Sequence, residues 1–387
     1  LNAYQRLIGR YVALRLVTLP RHRKVEFRLK WRESRLSLER TLDTVLDGNP
    51  PYSLRFYEKN RGWRRLVFGL FDYTKLGHSL LGPVLSSRPG WVERQLENTT
   101  GADIRNAAGG WISGWGGTEP SDFAVTDAQI VIESADDLAL PCWQSAAKFQ
   151  SNDWVIHVHG RGASAAETAR NFALIAELGF NNLAMHYRGD GIALRDGTPD
   201  RSVLALGTTE WVDLEAIISH LGATGAKRIF VVGWSYGAAI CLQFAKKSRL
   251  SARIEGYFFD SPVISWRDTL CFQAKLSNAP RHFAVLGEKF LKNEGTAKSI
   301  GLSRGIDFGE FEVASIAKFL TKPTVIVHSQ DDGFIPIEPC RSLARARPDI
   351  VTLVEFAGAR HCKLLNHSAD AYQSALAGLL TGQPTSA

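Results

Sequence analysis

The sequence predicts an α/β fold from about residue 121 onward: a doubly wound, mainly parallel sheet with a helical insertion, preceded by a small β-rich region. Three observations carry this. Short apolar, β-branched runs alternate with helical patterns, and such alternation builds a parallel sheet with helices on its faces. One run, Ile229 to Val232, breaks at Gly233-Trp234-Ser235-Tyr236-Gly237 and restarts as a small-residue helix from Ala238. The stretch 262–322 is too long for a simple crossover and holds helical patterns at Trp266 to Lys275 and Phe283 to Lys292. It is read as a lid over the sheet's carboxyl edge that shapes the substrate pocket.

In chain order, residues 1–20 come first. Arg6, Arg10 and Arg15 are interspersed with Leu7, Ile8, Tyr11, Val12 and Leu16, which predicts a basic amphipathic helix. Such a helix either packs on the body with its arginines in water or makes peripheral contact with a membrane surface. The segment lacks an uninterrupted apolar stretch and a cleavage site, which argues against a secretory signal. The chain opens on Leu1 and its single methionine is Met185, so it starts at a non-standard initiator or a clipped end. The net charge of +7 is amino-terminal: residues 1–65 carry +10 and the remainder −3.

Residues 21–120 predict an accessory β-rich domain. Val25 to Trp31, Arg35 to Arg40 and Tyr52 to Tyr57 alternate polar with apolar, and Asp47-Gly48-Asn49-Pro50-Pro51 reads as a turn. Ser79 to Leu85 and Trp91 to Leu96 are further strand candidates. The glycine-rich run Gly109 to Gly117 reads as a loop whose tryptophans pack on the body.

In the body, 121–387, a hairpin is expected from Ala124 to Ile132 and Leu138 to Trp143, turning at Ser134-Ala135-Asp136-Asp137. Strands follow at Trp154 to His159, Asn182 to Tyr187, Ile229 to Val232, Ile254 to Phe259, Thr324 to His328 and Val351 to Phe356. Helices are expected at Ala165 to Leu178, Glu210 to Leu221 and Ala238 to Lys247. With 387 residues, 45% of them hydrophobic, the chain can bury a large core, and no run approaches the length of a membrane span. The five cysteines, Cys142, Cys241, Cys271, Cys340 and Cys362, are scattered without C-x-x-C spacing. That pattern argues against a disulfide framework or zinc site and for a cytoplasmic compartment, with membrane association open through the basic helix.

The chemistry is assembled around Ser235. A serine between strand and helix stands on a sharp turn, so Gly233 and Gly237 must leave room that a Cβ would fill. Its hydroxyl needs a base, and the base an orienting carboxylate. The loop after the Thr324 strand offers Asp331 and Asp332; the loop after the last strand offers His361, with His367 farther on. Asp260 ends another strand. Apart from His367, which is expected within the terminal helix, these stand at carboxyl ends of strands, the edge where doubly wound sheets place their sites.

On these residues the stretch from about 122 to 380 resembles an α/β-hydrolase. The resemblance implies an eight-stranded sheet. It also selects Asp332, because His328, Asp332, Ile335 and Pro336 fall on that superfamily's H-G-x-x-D-x-x-V-P pattern. His159-Gly160-Arg161-Gly162 resembles the oxyanion loop, which implies backbone N–H donors at Arg161 and Tyr236, with Gly160 and Gly162 allowing close approach of substrate. The neighbouring Tyr187-Arg188-Gly189-Asp190-Gly191 reads as a glycine-rich turn with an internal Arg–Asp pair.

The expected function is hydrolysis of an acyl ester, small-molecule or lipid-like, through Ser235, His361 and Asp332 and an acyl-enzyme. Peptidase activity is an alternative, because Gly-Trp-Ser-Tyr-Gly and Asp331-Asp332 resemble dipeptidyl-peptidase-like catalytic domains; residues 1–120 are too few for the β-propeller those enzymes carry. An acyl-carrier thioesterase or acyltransferase, and a catalytically silent binding module, are the others. No cofactor or metal is expected, since H-E-x-x-H and G-x-x-x-x-G-K-[ST] are missing, and no nucleic-acid partner, since no recognisable module accompanies the basic end.

Overall fold

A computed structural model of the chain describes residues 2–18, 29–32, 35–39, 52–59, 73–88, 91–101, 109–116, 123 and 129–383. The expected strand residues Val25 to Arg28, Arg40 and Ala124 to Ala128, the turn Asp47 to Pro51, and Gly117 lie outside them.

An amino-terminal helix, Ala3–Val17, starts at a capping box in which Asn2 and Gln5 bond each other's backbone N–H. Six strands then form an antiparallel sheet: β1 Leu29–Arg32, β2 Arg35–Glu39, β3 Tyr52–Lys59, β4 Tyr73–Arg88, β5 Trp91–Gly101 and β6 Gly109–Ser113, in the order β1-β2-β5-β4-β3-β6. The glycine-rich run expected as a loop is thus, over Gly109–Ser113, an edge strand paired with β3. Its ladder needs only backbone groups, which glycine supplies as well as any residue.

The central sheet holds β7 Gln129–Glu133, β8 Ala139–Ser145, β9 Trp154–Val158, β10 Asn181–Met185, β13 Ile229–Trp234, β14 Ile254–Asp260, β15 Thr324–Ser329 and β16 Val351–Phe356. Their order is β7-β8-β10-β9-β13-β14-β15-β16, antiparallel at β7 and β8 and parallel from β10 on. A ribbon of two-residue strands, β11 Leu194–Arg195 and β12 Thr198–Pro199, extends it beside β8. The parallel strands β10, β13 and β15 are buried throughout, as a sheet covered on both faces requires.

The helix expected over Ala165 to Leu178 is two, Ala165–Ala169 and Phe172–Glu177. At the break the Thr168 hydroxyl bonds back to the Ala165 carbonyl, and the Asn171 amide donates to the Tyr372 hydroxyl. Within 262–322 lie helices Trp266–Leu276, Arg281–Lys292, Glu294–Lys298 and Val313–Phe319. The amino-terminal helix packs along Arg281–Lys292, where a Cβ on Gly287 would lie 2.3 Å from Val12 Cγ1. No helix among the described residues is long and apolar enough to cross a membrane.

Candidate active site

Ser235 stands between the end of β13 and helix Tyr236–Lys247 at φ 49°, ψ −108°, a backbone region that L-residues avoid. Its N–H donates to the Asp260 carbonyl and its carbonyl accepts from Val263, so neighbouring chain holds the strained turn. A Cβ on Gly233 would lie 2.9 Å from Ala238 Cα, and one on Gly237 would lie 2.1 Å from the Val158 carbonyl oxygen. Trp234, fully buried beneath, stacks on His157.

His361 Nε2 lies 2.9 Å from Ser235 Oγ, and His361 Nδ1 lies 2.7 Å from Asp332 Oδ2. Asp332 Oδ1 accepts from the N–H of Phe334 and Ile335, and His328 Nε2 lies 3.4 Å from Oδ2. Burial opposes the Asp332 charge, but His361, with hydrogen bonds from His328 and His361, holds its pKa well below the usual carboxylate range. The other acids face elsewhere. Asp331 accepts from Gly358 N–H, bracing the loop that carries His361. Asp260 is buried with Ser261 on one oxygen, and Arg170 Nη2 stands 3.9 Å from the other. His367 is exposed in the short helix Leu364–His367.

Tyr236 opens its helix, where the first N–H groups lack an intrahelical acceptor. Its phenol is drawn away, donating to the buried Glu210 at 2.6 Å. Gly160 and Arg161 line the cavity beside Ser235, whereas Gly162, at φ 71°, makes the turn beyond. The Gly160 N–H donates to Glu167 Oε2 at 2.7 Å, and its carbonyl accepts from Ala163 N–H. The Arg161 side chain donates from Nη1 to the carbonyls of Arg15 and Leu16, both at 2.7 Å.

The Arg–Asp pair expected inside Tyr187–Gly191 does not form. Arg188 turns to Asp213, with Nη2–Oδ1 at 2.6 Å, and to Asp136. Asp190 instead accepts from His186 Nδ1 at 2.7 Å and lies 3.3 Å from His159 Nε2, all three buried. A carboxylate so sited satisfies two imidazoles and the Tyr187 N–H at once, which a surface-seeking arginine could not.

The cavity, about 60 Å³, is lined by Ser235 and His361 together with Ile112, Ser113, Gly114 and Trp115. None of its lining residues comes from 262–322, which packs instead through Trp266 on the Leu206 carbonyl and through Gln273 on the Phe334 carbonyl. The Ile112–Trp115 wall escaped sequence reading because its glycines gave no pattern of their own. Glu167 left a trace: Ser164-x-x-Glu167 is the spacing of a capping box. The glutamate reaches back to Gly160 rather than to Ser164.

The family model of the alpha/beta hydrolase family matches residues 155–373, and the chain belongs to that family. It is a hydrolase. An esterase from Pyrococcus furiosus superposes with a TM-score of 0.53 at 19% identity, over 69% of this chain and 95% of its own. A soluble variant of monoglyceride lipase from Saccharomyces cerevisiae superposes with a TM-score of 0.49 at 19% identity, over 68% and 97%. At 19% identity the likeness to the esterase is one of fold. No curated protein matches the chain.

Proposed function

We propose that the protein hydrolyses acyl esters through Ser235, His361 and Asp332. The observation that carries this is the unbroken chain Ser235 Oγ, His361 Nε2, His361 Nδ1, Asp332 Oδ2, with links of 2.9 and 2.7 Å. Ser235 Oγ attacks the acyl carbon while its proton passes to His361 Nε2. Asp332 fixes the tautomer and stabilises the imidazolium. The oxyanion is held by the N–H groups of Tyr236 and Arg161. His361 then protonates the leaving alcohol, giving an acyl-enzyme, takes a proton from the water that attacks the acyl carbon, and returns it to Ser235 Oγ as the acyl carbon–Oγ bond breaks and the acid leaves.

Exposed Tyr4 and Leu7 beside Arg6 and Arg10 support peripheral contact of the amino-terminal helix with an anionic membrane surface. Sedimentation with anionic vesicles, weakened in Arg6→Glu/Arg10→Glu, tests that contact. The chemistry is tested by Ser235→Ala, expected to abolish hydrolysis of p-nitrophenyl acetate and labelling by a fluorophosphonate. Turnover retained in that variant defeats the assignment.

A further inference from the structure

We propose that Arg161 straps the oxyanion loop to the amino-terminal helix, so that this helix, far from the chemistry in sequence, positions one of the two transition-state donors. The inference rests on the hydrolase reading above. A helix leaves its last four carbonyls without intrahelical partners. Here all four are taken: Leu14 by Thr18, Arg15 and Leu16 by Arg161 Nη1, and Val17 by the Leu204 N–H. A guanidinium at a helix carboxyl end meets both the free lone pairs and the negative end of the dipole.

The strap is anchored at both ends. On the helix side, Ala13 and Val17 are fully buried, and Gly9 lies so close to the Arg281–Lys292 helix that a Cβ would stand 2.8 Å from the Leu286 carbonyl oxygen. On the loop side, the residue before Arg161 is fixed: the Gly160 N–H is held by Glu167, and its carbonyl accepts from Ala163 N–H and, at 3.3 Å, from the Tyr187 hydroxyl. Between Gly160 and Gly162, which takes φ 71°, the Arg161 peptide has a fixed neighbour on one side and a permissive one on the other. The side chain adds a constraint that reaches the helix end. An oxyanion donor is worth most when its position costs no reorganisation during the reaction, so loosening the strap lowers the rate without weakening substrate binding.

The test uses the full chain with p-nitrophenyl acetate and a trifluoromethyl ketone that forms a tetrahedral adduct. Arg161→Ala is expected to lower kcat about 10- to 100-fold with KM within about twofold, and to weaken the ketone by the same factor as kcat/KM. Arg161→Lys, keeping a cation that reaches one carbonyl, recovers part of the loss. Gly9→Ala, which wedges the helix outward without touching Ser235 or Arg161, is expected to lower kcat too, and to add nothing in the Arg161→Ala background. A folded Arg161→Ala with kcat within twofold of wild type overturns the proposal. Should that variant not fold, an unchanged kcat in Gly9→Ala overturns it. Turnover surviving in Ser235→Ala strikes the hydrolase reading itself; turnover lost there but intact in Arg161→Ala strikes only the strap.

Discussion

Gly237 and Val158 meet so closely that a Cβ on the glycine would lie 2.1 Å from the Val158 carbonyl oxygen. This contact seats helix Tyr236–Lys247 against the end of β9 and so fixes how far Ser235 projects. Backbone carbonyls cannot yield as a flexible side chain can. Gly237→Ala is therefore expected to destabilise the protein by about 2–3 kcal/mol and to cut ester turnover with it. Urea midpoints and initial rates check both; wild-type stability would show that the helix shifts freely.

Of two buried acids at neighbouring strand ends, Asp332 bonds His361 and Asp260 bonds Ser261. Asp332→Asn is expected to lower kcat by about 10⁴, because the amide presents the wrong group to His361 Nδ1. Asp260→Asn, whose side chain meets Ser261 and faces Arg170, is expected to leave kcat within a few-fold. Steady-state kinetics on the two variants decides between the positions.

Stability should fall at both ends of the pH scale. Asp332 is depressed from its ordinary 3.8, so its contribution is present above that value and is lost as pH falls through the folded pKa. His328 is the reverse. Burial opposes its charge, yet Cys340 and Asp332 push its pKa from 6.5 up to about 10. Its contribution is full below pH 6.5 and is lost as pH rises through about 10. In denaturant midpoints taken across pH, Asp332→Asn is expected to flatten the acid limb and His328→Gln the alkaline one. Unchanged limbs would rule out these groups as the source.

Arg188→Met leaves Asp213, whose side chain is fully buried, without its cation. Breaking such a pair from one side is expected to cost about 3–5 kcal/mol, read as a lowered Tm. The double variant Arg188→Met/Asp213→Leu should regain much of it.

The pocket wall sets chain length under the proposed chemistry. Trp115→Ala is expected to enlarge the cavity and raise kcat/KM for longer acyl chains relative to acetate. Ser113→Ala, removing a hydroxyl buried without a hydrogen-bond partner among the described residues, is expected to hold or raise Tm. A panel of p-nitrophenyl esters reads the first effect and a thermal melt the second.

The central sheet was legible because each parallel strand is a buried apolar run with a clear break, and the Gly233–Gly237 turn announces itself by its glycines. Ser235 and His361 could be named because each stands past such a run, while the run before Asp331 and Asp332 left both open and only the resemblance to a family pattern chose Asp332. Other features rest on contacts between segments far apart in the chain. Nothing local to Arg161 marks Arg15 as its partner, nor does Arg188 advertise Asp213 over the nearer Asp190. Gly109–Ser113 shows no alternation, since its strand is specified by the β3 backbone beside it. The break at Arg170-Asn171 likewise follows from Tyr372, some two hundred residues on.

The Gly114 carbonyl accepts from Arg170 and from Asn366, so the seam between the two sheets runs through the pocket itself. Under the proposed chemistry, the strand ends bearing Ser235, Asp332 and His361 belong to one sheet, while Ile112 and Ser113 bring part of the pocket lining from the other. A search for a new substrate range could diversify that lining at the end of β6 without touching the strand ends of the central sheet.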